Sequence, residues 1–369
     1  MKIALVVPGG VDRSGTARVI PCLLWLIERL AAGGDEVHVF ALGQEAEPGN
    51  WPLLGATVQD AGRRWPRLRA LTAMGREHRK RPFDAVHAFW AGAPGQVAAL
   101  FGSIARMPFA VTLPGGDLAA IPDIGYGARL RWRGRMATNM VLSRAAAIVV
   151  PSGPMAAEAF ALGWRTRTIP FGVALDRWPP SPPRPRKPGQ PLKLIHAASL
   201  NRVKDPFGLL DAMRLLDDQG AAFTLDVLGE DTLGGAVQER CSALGLDDRI
   251  AFHGFVPNNQ LRSWFERSDL LVMNSRHEGA SIVLLEAAAT GVPTVGTAVG
   301  SMADWSPDAA IAVPVGDPAA LARAIAKLAD DDGQRLLLAA TAQARAVAHD
   351  ADANAAETRR LYAELAASC

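Results

Sequence analysis

The sequence predicts an α/β protein made of two Rossmann-like, doubly wound domains facing a cleft. Three observations carry that expectation. Short apolar runs of strand length alternate with helix-length segments, the pattern of a mostly parallel sheet. The alternation is interrupted once, by WPPSPPRPRKPGQP at 178–191, where seven prolines resist regular structure and read as a linker. The pattern then restarts, so the 369 residues divide into two domains of ordinary size. Sheets of this kind bind ligands in the crevice at the carboxyl ends of their strands.

Taken in order, residues 3–7 read as a first buried strand, and Gly9 and Gly10 begin the loop after it. A helix follows over about 16–32, stopped by Gly33 and Gly34, and then strands over 36–42 and 56–59. Strands at 84–89 and 109–113 flank a helix at 96–106. A strand at 147–150, a helix at 155–162 and an extended 166–169 complete a first domain over 1–177. In a second domain, 192–350, strands are expected at 192–197, 223–228, 250–252 and 270–273, with helices at 206–217, 235–244 and 261–266 between them. Helices at 319–329 and 334–348 follow. An Ala-rich helix within 351–369 ends the chain.

Composition bounds the function. Hydrophobic residues make up 49% and charged residues 21%, the balance of a soluble globular protein. Cys22, Cys241 and Cys369 are scattered, with no CxxC and no nearby His pair, so they support neither a disulfide framework nor a zinc site. Reduced thiols suit a cytoplasmic protein. The apolar start, Met1 to Val7, is too short for a signal peptide, and no stretch approaches the roughly 20 apolar residues of a membrane span. The net charge of +2 conceals an asymmetry: residues 1–180 carry 21 Lys/Arg against 13 Asp/Glu, and the remainder 18 against 24. A basic half points to an anionic partner.

The most informative stretch is 274–300. The apolar run 270–273 leads through the small-residue loop 275–280 to Ser281, a good N-cap for a helix over 282–290. Gly291 sits at the usual stop, with Pro293 just beyond. Free backbone N–H groups and the helix dipole make such an N-terminus a place for an anion. A carboxylate stands on either side of it: Glu278 before the helix, and Glu286 five residues past the cap, about 7.5 Å along the axis at 1.5 Å per residue. One ligand could put phosphates on the helix end and sugar hydroxyls on both carboxylates.

Glu278-Gly279-Ala280-Ser281-Ile282-Val283-Leu284-Leu285-Glu286-Ala287, followed by Gly291-Val292-Pro293, resembles the E-x7-E signature of retaining glycosyltransferases of the GT-B fold, family 4, the glycosyl transferases group 1. The resemblance implies that Glu286 binds ribose hydroxyls and that Glu278 holds the transferred sugar near the reacting carbon. It implies that Gly279, Ala280, Ser281 and Ile282 offer amides to the phosphates or sugar. Residues 198–205 fall where the family has G-R-L-x-x-x-K-G; Lys204 matches its lysine, while Ser199 stands at its arginine position and Arg202 is a neighbouring source of charge. A Lys/Arg pair facing a diphosphate would neutralise the leaving group without a metal or other cofactor. Residues 253–257, with Gly254 and Phe255, resemble the loop that holds the nucleotide base. Gly9 and Gly10 match the family's glycine loop, and 170–178 resembles P-N-G-V-D-x-x-x-F with Phe171 in place of Asn. Residues 111–117 fall where many members carry a His followed by Gly-x-Asp; here the His position is Pro114, while Gly115 and Asp117 remain, and Asp117 is a third catalytic candidate. The terminal helix would pack back on the N-terminal domain, as in GT-B proteins.

The implied partners are a nucleotide-diphosphate sugar and a glycan or lipid-linked acceptor. Segments 63–81 and 129–144 are rich in arginine, oppose it with Glu77 alone, and carry apolar anchors such as Trp65, Leu68, Trp132 and Met136. They suit an anionic membrane surface on the inner face of the bilayer; no nucleic-acid motif accompanies them. A catalytically weakened nucleotide-sugar-binding subunit and a GT-B sugar-nucleotide epimerase are the alternatives, and a nicotinamide dehydrogenase is disfavoured because no G-x-G-x-x-G follows the first strand.

Overall fold

Lys2–Val7 (β1) is buried along its whole length, as a strand covered on both faces must be. It opens a computed structural model that describes residues 1–187 and 189–367. The chain continues through Pro21–Ala32 (α1), Glu36–Ala41 (β2), Gly49–Leu53 (β3), Ala56–Asp60 (β4), Pro66–Lys80 (α2), Ala85–Phe89 (β5) and Ala93–Ala105 (α3). Ala110–Thr112 (β6), Trp132–Leu142 (α4), Ala147–Val150 (β7), Gly153–Ala161 (α5) and Arg167–Thr168 (β8) follow. These strands form one sheet in the order β3-β4-β2-β1-β5-β6-β7-β8. Its pairings are parallel except for the β3–β4 hairpin.

The first helix starts at Pro21, five residues later than the spacing suggested. The intervening residues are held in a turn: Asp12 accepts from the Ser14 amide at 2.9 Å and its hydroxyl at 2.7 Å, and Val11 bridges Val19. The hairpin β3, unread in the sequence, turns through Leu54 and Gly55, both at positive φ. The arginine-rich segments contain α2 and α4. α3 packs against both of these helices.

The second series comprises Leu192–Ala197 (β9), Pro206–Asp218 (α6), Phe223–Leu228 (β10), Ala236–Ala243 (α7), Ile250–Gly254 (β11), Asn258–Phe265 (α8), Leu270–Met273 (β12) and Ile282–Ala289 (α9). Thr294–Thr297 (β13), Ser301–Trp305 (α10), Ile311–Val313 (β14), Pro318–Asp330 (α11) and Asp332–Ala348 (α12) complete it. Its sheet runs β11-β10-β9-β12-β13-β14, parallel throughout. The order reverses between β9 and β12, so the loops after these two strands flank a topological switch point.

The chain resolves into two units, one of Met1–Gly172 with His349–Cys369, the other of Val173–Ala348. The proline-rich stretch 178–191, read as a linker, lies within the second unit and is tied to it. Arg184 donates to the carbonyls of Thr290 at 3.2 Å and Phe265 at 3.0 Å, and Arg186 to that of Ala329 at 2.8 Å. Helix C-termini leave carbonyls without intrahelical partners, and arginines on an extended chain satisfy them. Pro188 itself lies outside the described residues. The terminal helix Ala351–Ala366 (α13) belongs to the first unit, where Arg359 pairs with Asp35 at 2.8 Å and Tyr362 Oη meets His87 Nδ1 at 2.7 Å.

Candidate functional site

The loops after β9 and β12 are stitched together at the switch point of the second sheet. Asn274 donates its side-chain amide to the Asp205 carbonyl at 2.9 Å, and the Arg276 amide donates to the Val203 carbonyl at 2.7 Å. Asp205 caps α6 by accepting from the Gly208 amide at 3.2 Å. This framework brings Lys204 Nζ into a direct ion pair with Glu278 Oε1. Ser275 Oγ donates to the same carboxylate oxygen at 2.7 Å, and Thr297 Oγ1 donates to the Ser275 carbonyl at 2.6 Å. The loop is also closed from behind. A Cβ on Gly300, at φ +49°, would lie 2.7 Å from the carbonyl oxygens of both Glu278 and Gly279.

Ser281 occupies the N-cap position of α9 in extended conformation, but its side chain makes no capping bond. Its hydroxyl donates instead to Met273 Sδ at 3.6 Å. The expectation of a side-chain cap is therefore corrected: the thioether beneath the loop takes the hydroxyl, and no side chain caps the helix. Gly279 and Ser281 are buried, Ala280 and Ile282 half-buried.

Glu286 lies within α9 and is only 2% exposed. Asn258, the first residue of α8, donates Nδ2 to Glu286 Oε1 at 2.6 Å. Burial pushes the carboxyl up to about 8, against the opposing effect of that hydrogen bond, so the group holds its proton at neutral pH. Beneath the Lys204–Glu278 pair, His196 on β9 donates Nδ1–H to the Val272 carbonyl at 2.9 Å, and burial lowers it to about 4.

The other candidates differ in setting. Ser199 and Arg202 are exposed on the loop that carries Lys204. Gly254, at φ +67°, ends β11, and Phe255 beyond it is 59% exposed. His253 faces Asp226 at 2.7 Å and lies against Trp264 with the two rings tilted by 53°.

In the first unit, Gly9 and Gly10 form the loop after β1, which borders the switch point between β1 and β5. Gln44 Oε1 accepts from the amides of Gly10 at 2.7 Å and Val11 at 3.1 Å. Asp117 is 4% exposed; Oδ1 accepts from the Ala91 amide at 2.8 Å, and Oδ2 is buried without a partner among the described residues. Burial pushes this carboxyl up to about 7. Asp117 thus anchors the loop after β5.

Asn258, Gln44, Ser275 and His196 were not singled out in the sequence. Asn258, Gln44 and His196 owe their roles to partners distant in the chain, for which no local signal exists, while Ser275 reaches Glu278 three positions on. The Asp205-Pro206 cap, in contrast, has a legible signature. Among the described residues no group of three or more His, Cys, Asp or Glu side chains gathers as a metal site. A groove of about 580 Å³ lies elsewhere, between α2, α3 and α4, lined by residues including Arg67, Leu71, Leu100, Met140 and Arg144.

A family model described as glycosyl transferases group 1 matches residues 180–345, and one described as glycosyl transferase 4-like domain matches residues 19–172. A putative teichuronic acid biosynthesis glycosyltransferase, TuaC of Bacillus subtilis, is 28% identical over 228 residues, covering 59% of this chain and 54% of that protein. A putative colanic acid biosynthesis glycosyltransferase, WcaL of Escherichia coli, is 27% identical over 188 residues, covering 49% and 46%. The chain spans about half the length of the curated relatives it matches. Among solved structures, sucrose-phosphate synthase from Thermosynechococcus elongatus superposes with a TM-score of 0.81 at 19% identity over 100% of both chains. Anabaena HepE in complex with UDP and glucose does so with a TM-score of 0.76 at 19% identity, over 99% of this chain and 100% of that one.

Proposed function

Because the chain belongs to the glycosyl transferases group 1 and has the GT-B fold, we propose that it is a retaining glycosyltransferase. It moves a sugar from a UDP- or GDP-type nucleotide-diphosphate sugar to a glycan or lipid-linked acceptor in cell-surface polysaccharide or glycolipid biosynthesis. The observation that carries this reading is the Lys204–Glu278 pair standing before the uncapped N-terminus of α9, with Glu286 buried farther along the same helix.

In this reading the donor's phosphates meet the amides of Gly279 to Ile282 and the Lys204 ammonium, with Arg202 and Ser199 on the same loop. Lys204 then stabilises the charge that develops on the departing diphosphate, without a metal. Glu278 holds the transferred sugar, Glu286 accepts from the ribose hydroxyls, and Gly254 and Phe255 border the base. In the first unit, Gly9 and Gly10 let the backbone approach a ligand closely, and Asp117, with Oδ1 on Ala91, acts by holding the loop after β5. The acceptor hydroxyl attacks the anomeric carbon from the face the diphosphate leaves, and its proton passes to the departing phosphate oxygen. That route needs no protein nucleophile.

The acceptor side extends to an anionic membrane surface. No helix among the described residues is long and apolar enough to cross a membrane. α3 nevertheless packs against α2 and α4, and exposed apolar side chains stand along these neighbouring helices: Trp65 and Leu68 at α2, Leu100 and Ile104 on α3, Trp132 and Met136 on α4. The one acid on these helices, Glu77, is buried and bound to Lys80. Exposed arginines beside exposed apolar anchors support peripheral docking on lipid headgroups.

A second reading, a catalytically weakened binding subunit, is favoured by Pro114 and Ser199 standing where the family pattern has His and Arg. A thermal-shift and hydrolysis screen against UDP-, GDP-, ADP- and CDP-sugars, with wild type beside Glu286→Ala, separates the two. A melting temperature raised by one donor in wild type alone, with slow donor hydrolysis, is the expected result. Binding without turnover in the presence of membrane extract would favour the binding subunit. No binding of any donor would sink the assignment.

A further inference from the structure

We propose that Asn258 is a positioning residue for Glu286: its side-chain amide fixes Oε1 and leaves Oε2 as the oxygen that meets the donor's hydroxyls. The inference rests on the donor site described above. Glu286 is nearly sealed from solvent, and among the described residues the hydrogen bond its carboxyl receives comes from Asn258 Nδ2 at 2.6 Å.

No charge from the elements packed against α9 substitutes for that amide. On α8, Arg262 donates to the Pro179 carbonyl at 2.7 Å and Ser181 Oγ at 2.6 Å, and pairs with Glu266 at 2.8 Å. β13 contains no ionisable side chain. On α12, Arg335 pairs with Asp332 and donates to the carbonyls of Asp269 and Arg184, and Arg345 donates to that of Asp304. Glu286 is therefore a buried carboxyl without a cation, oriented and eased toward ionisation by one neutral donor. A carboxylate accepts from a vicinal diol better than a protonated acid does, because the acid has given one acceptor site to its own proton. Asn258 thereby tunes donor affinity through Glu286. It also couples the first residue of α8, which follows the Gly254–Phe255 loop, to the helix proposed to bind the ribose.

The test is calorimetric titration of the 369-residue chain, as wild type, Asn258→Ala and Asn258→Asp, with UDP, GDP, ADP and CDP from pH 7 to pH 9. With the nucleotide that binds wild type, Asn258→Ala should weaken affinity roughly tenfold at pH 7, and the deficit should narrow as the pH rises and Glu286 ionises. Asn258→Asp keeps the volume but sets a second carboxyl against Glu286, so it should bind worse than Asn258→Ala at pH 7. Nucleotide-free melting temperatures should change little. Variants that bind like wild type at every pH would overturn the inference, as would a pH-independent loss that tracks a lowered melting temperature. Failure of wild type to bind any of the four would remove the donor site itself, an outcome distinct from loss in the variants alone.

Discussion

Two carboxyls, Glu286 and Asp117, are buried without a cation, and both are pushed up, to about 8 and about 7. An unfolded chain ionises a glutamate near its ordinary value of 4.5. Between that value and about 8, folded Glu286 keeps a proton that the unfolded chain has released, so stability falls as the pH rises through this window. Glu286→Gln removes the titrating group while retaining an acceptor for Asn258. Chemical denaturation without nucleotide, from pH 5 to pH 8, should show the variant losing less stability than wild type, by on the order of a few kcal/mol. Parallel losses would mean that Glu286 is solvated in solution. His87 and His196 work in the opposite direction: burial lowers them to about 3 and about 4, so their cost to the fold appears as the pH drops below the ordinary histidine value of 6.5.

The helices α2, α3 and α4 show how element-level amphipathicity and charge combine. Not every arginine here is open: Arg81 pairs with Glu36 at 2.8 Å, Arg76 reaches Gln59 at 3.3 Å and Arg129 reaches Asn139 at 2.7 Å. Arg63, Arg64 and Arg67 are exposed beside Trp65 and Leu68, and they carry the docking prediction. Flotation with vesicles of phosphatidylglycerol and phosphatidylcholine should recover the wild type at low salt, and pure phosphatidylcholine should recover little. Replacing the three arginines by glutamate should cut recovery more than tenfold, since each contributes about 1 kcal/mol near an anionic surface. Equal recovery from both vesicle types, or no change in the triple variant, would refute electrostatic docking by this face.

At the scale of the whole chain, the first unit is completed by its last helix. Ala355, Leu361, Tyr362 and Leu365 of α13 are buried against strands of the first sheet and against α1. Arg359 closes the carbonyls of Arg29 and Leu30, and Gly33 leaves room for its guanidinium, since a Cβ there would lie 1.6 Å from it. Deleting residues 349–369 should therefore abolish cooperative melting of the first unit while the second retains its own core. Limited proteolysis of the truncated protein, with a resistant fragment from the second unit alone, would show it. A truncated chain with an unchanged two-unit digestion pattern would contradict this role for α13.

Sequence by itself determined the parallel α/β class and the strand–loop–helix around 274–300, because strand period and helix period are local and survive in any neighbourhood, whereas the Ser281 hydroxyl went to Met273 instead of capping the helix. It also placed β9, β10, β12 and α9 closely, their apolar runs being short and cleanly bounded. The hairpin strand β3 and the short β14 were hidden, since each draws its strand character from the partner it pairs with. Tertiary structure alone decided that Lys204 meets Glu278 across 74 positions and that Asn258 meets Glu286 across 28. It decided, too, that Gln44 fills the Gly10 loop and that the proline-rich stretch docks through Arg184 and Arg186. The physical reason is one of range. Propensity and periodicity act over a few residues, whereas ion pairing and desolvation depend on which strands become neighbours, and here the adjacency of β9 and β12 brings the candidate site together.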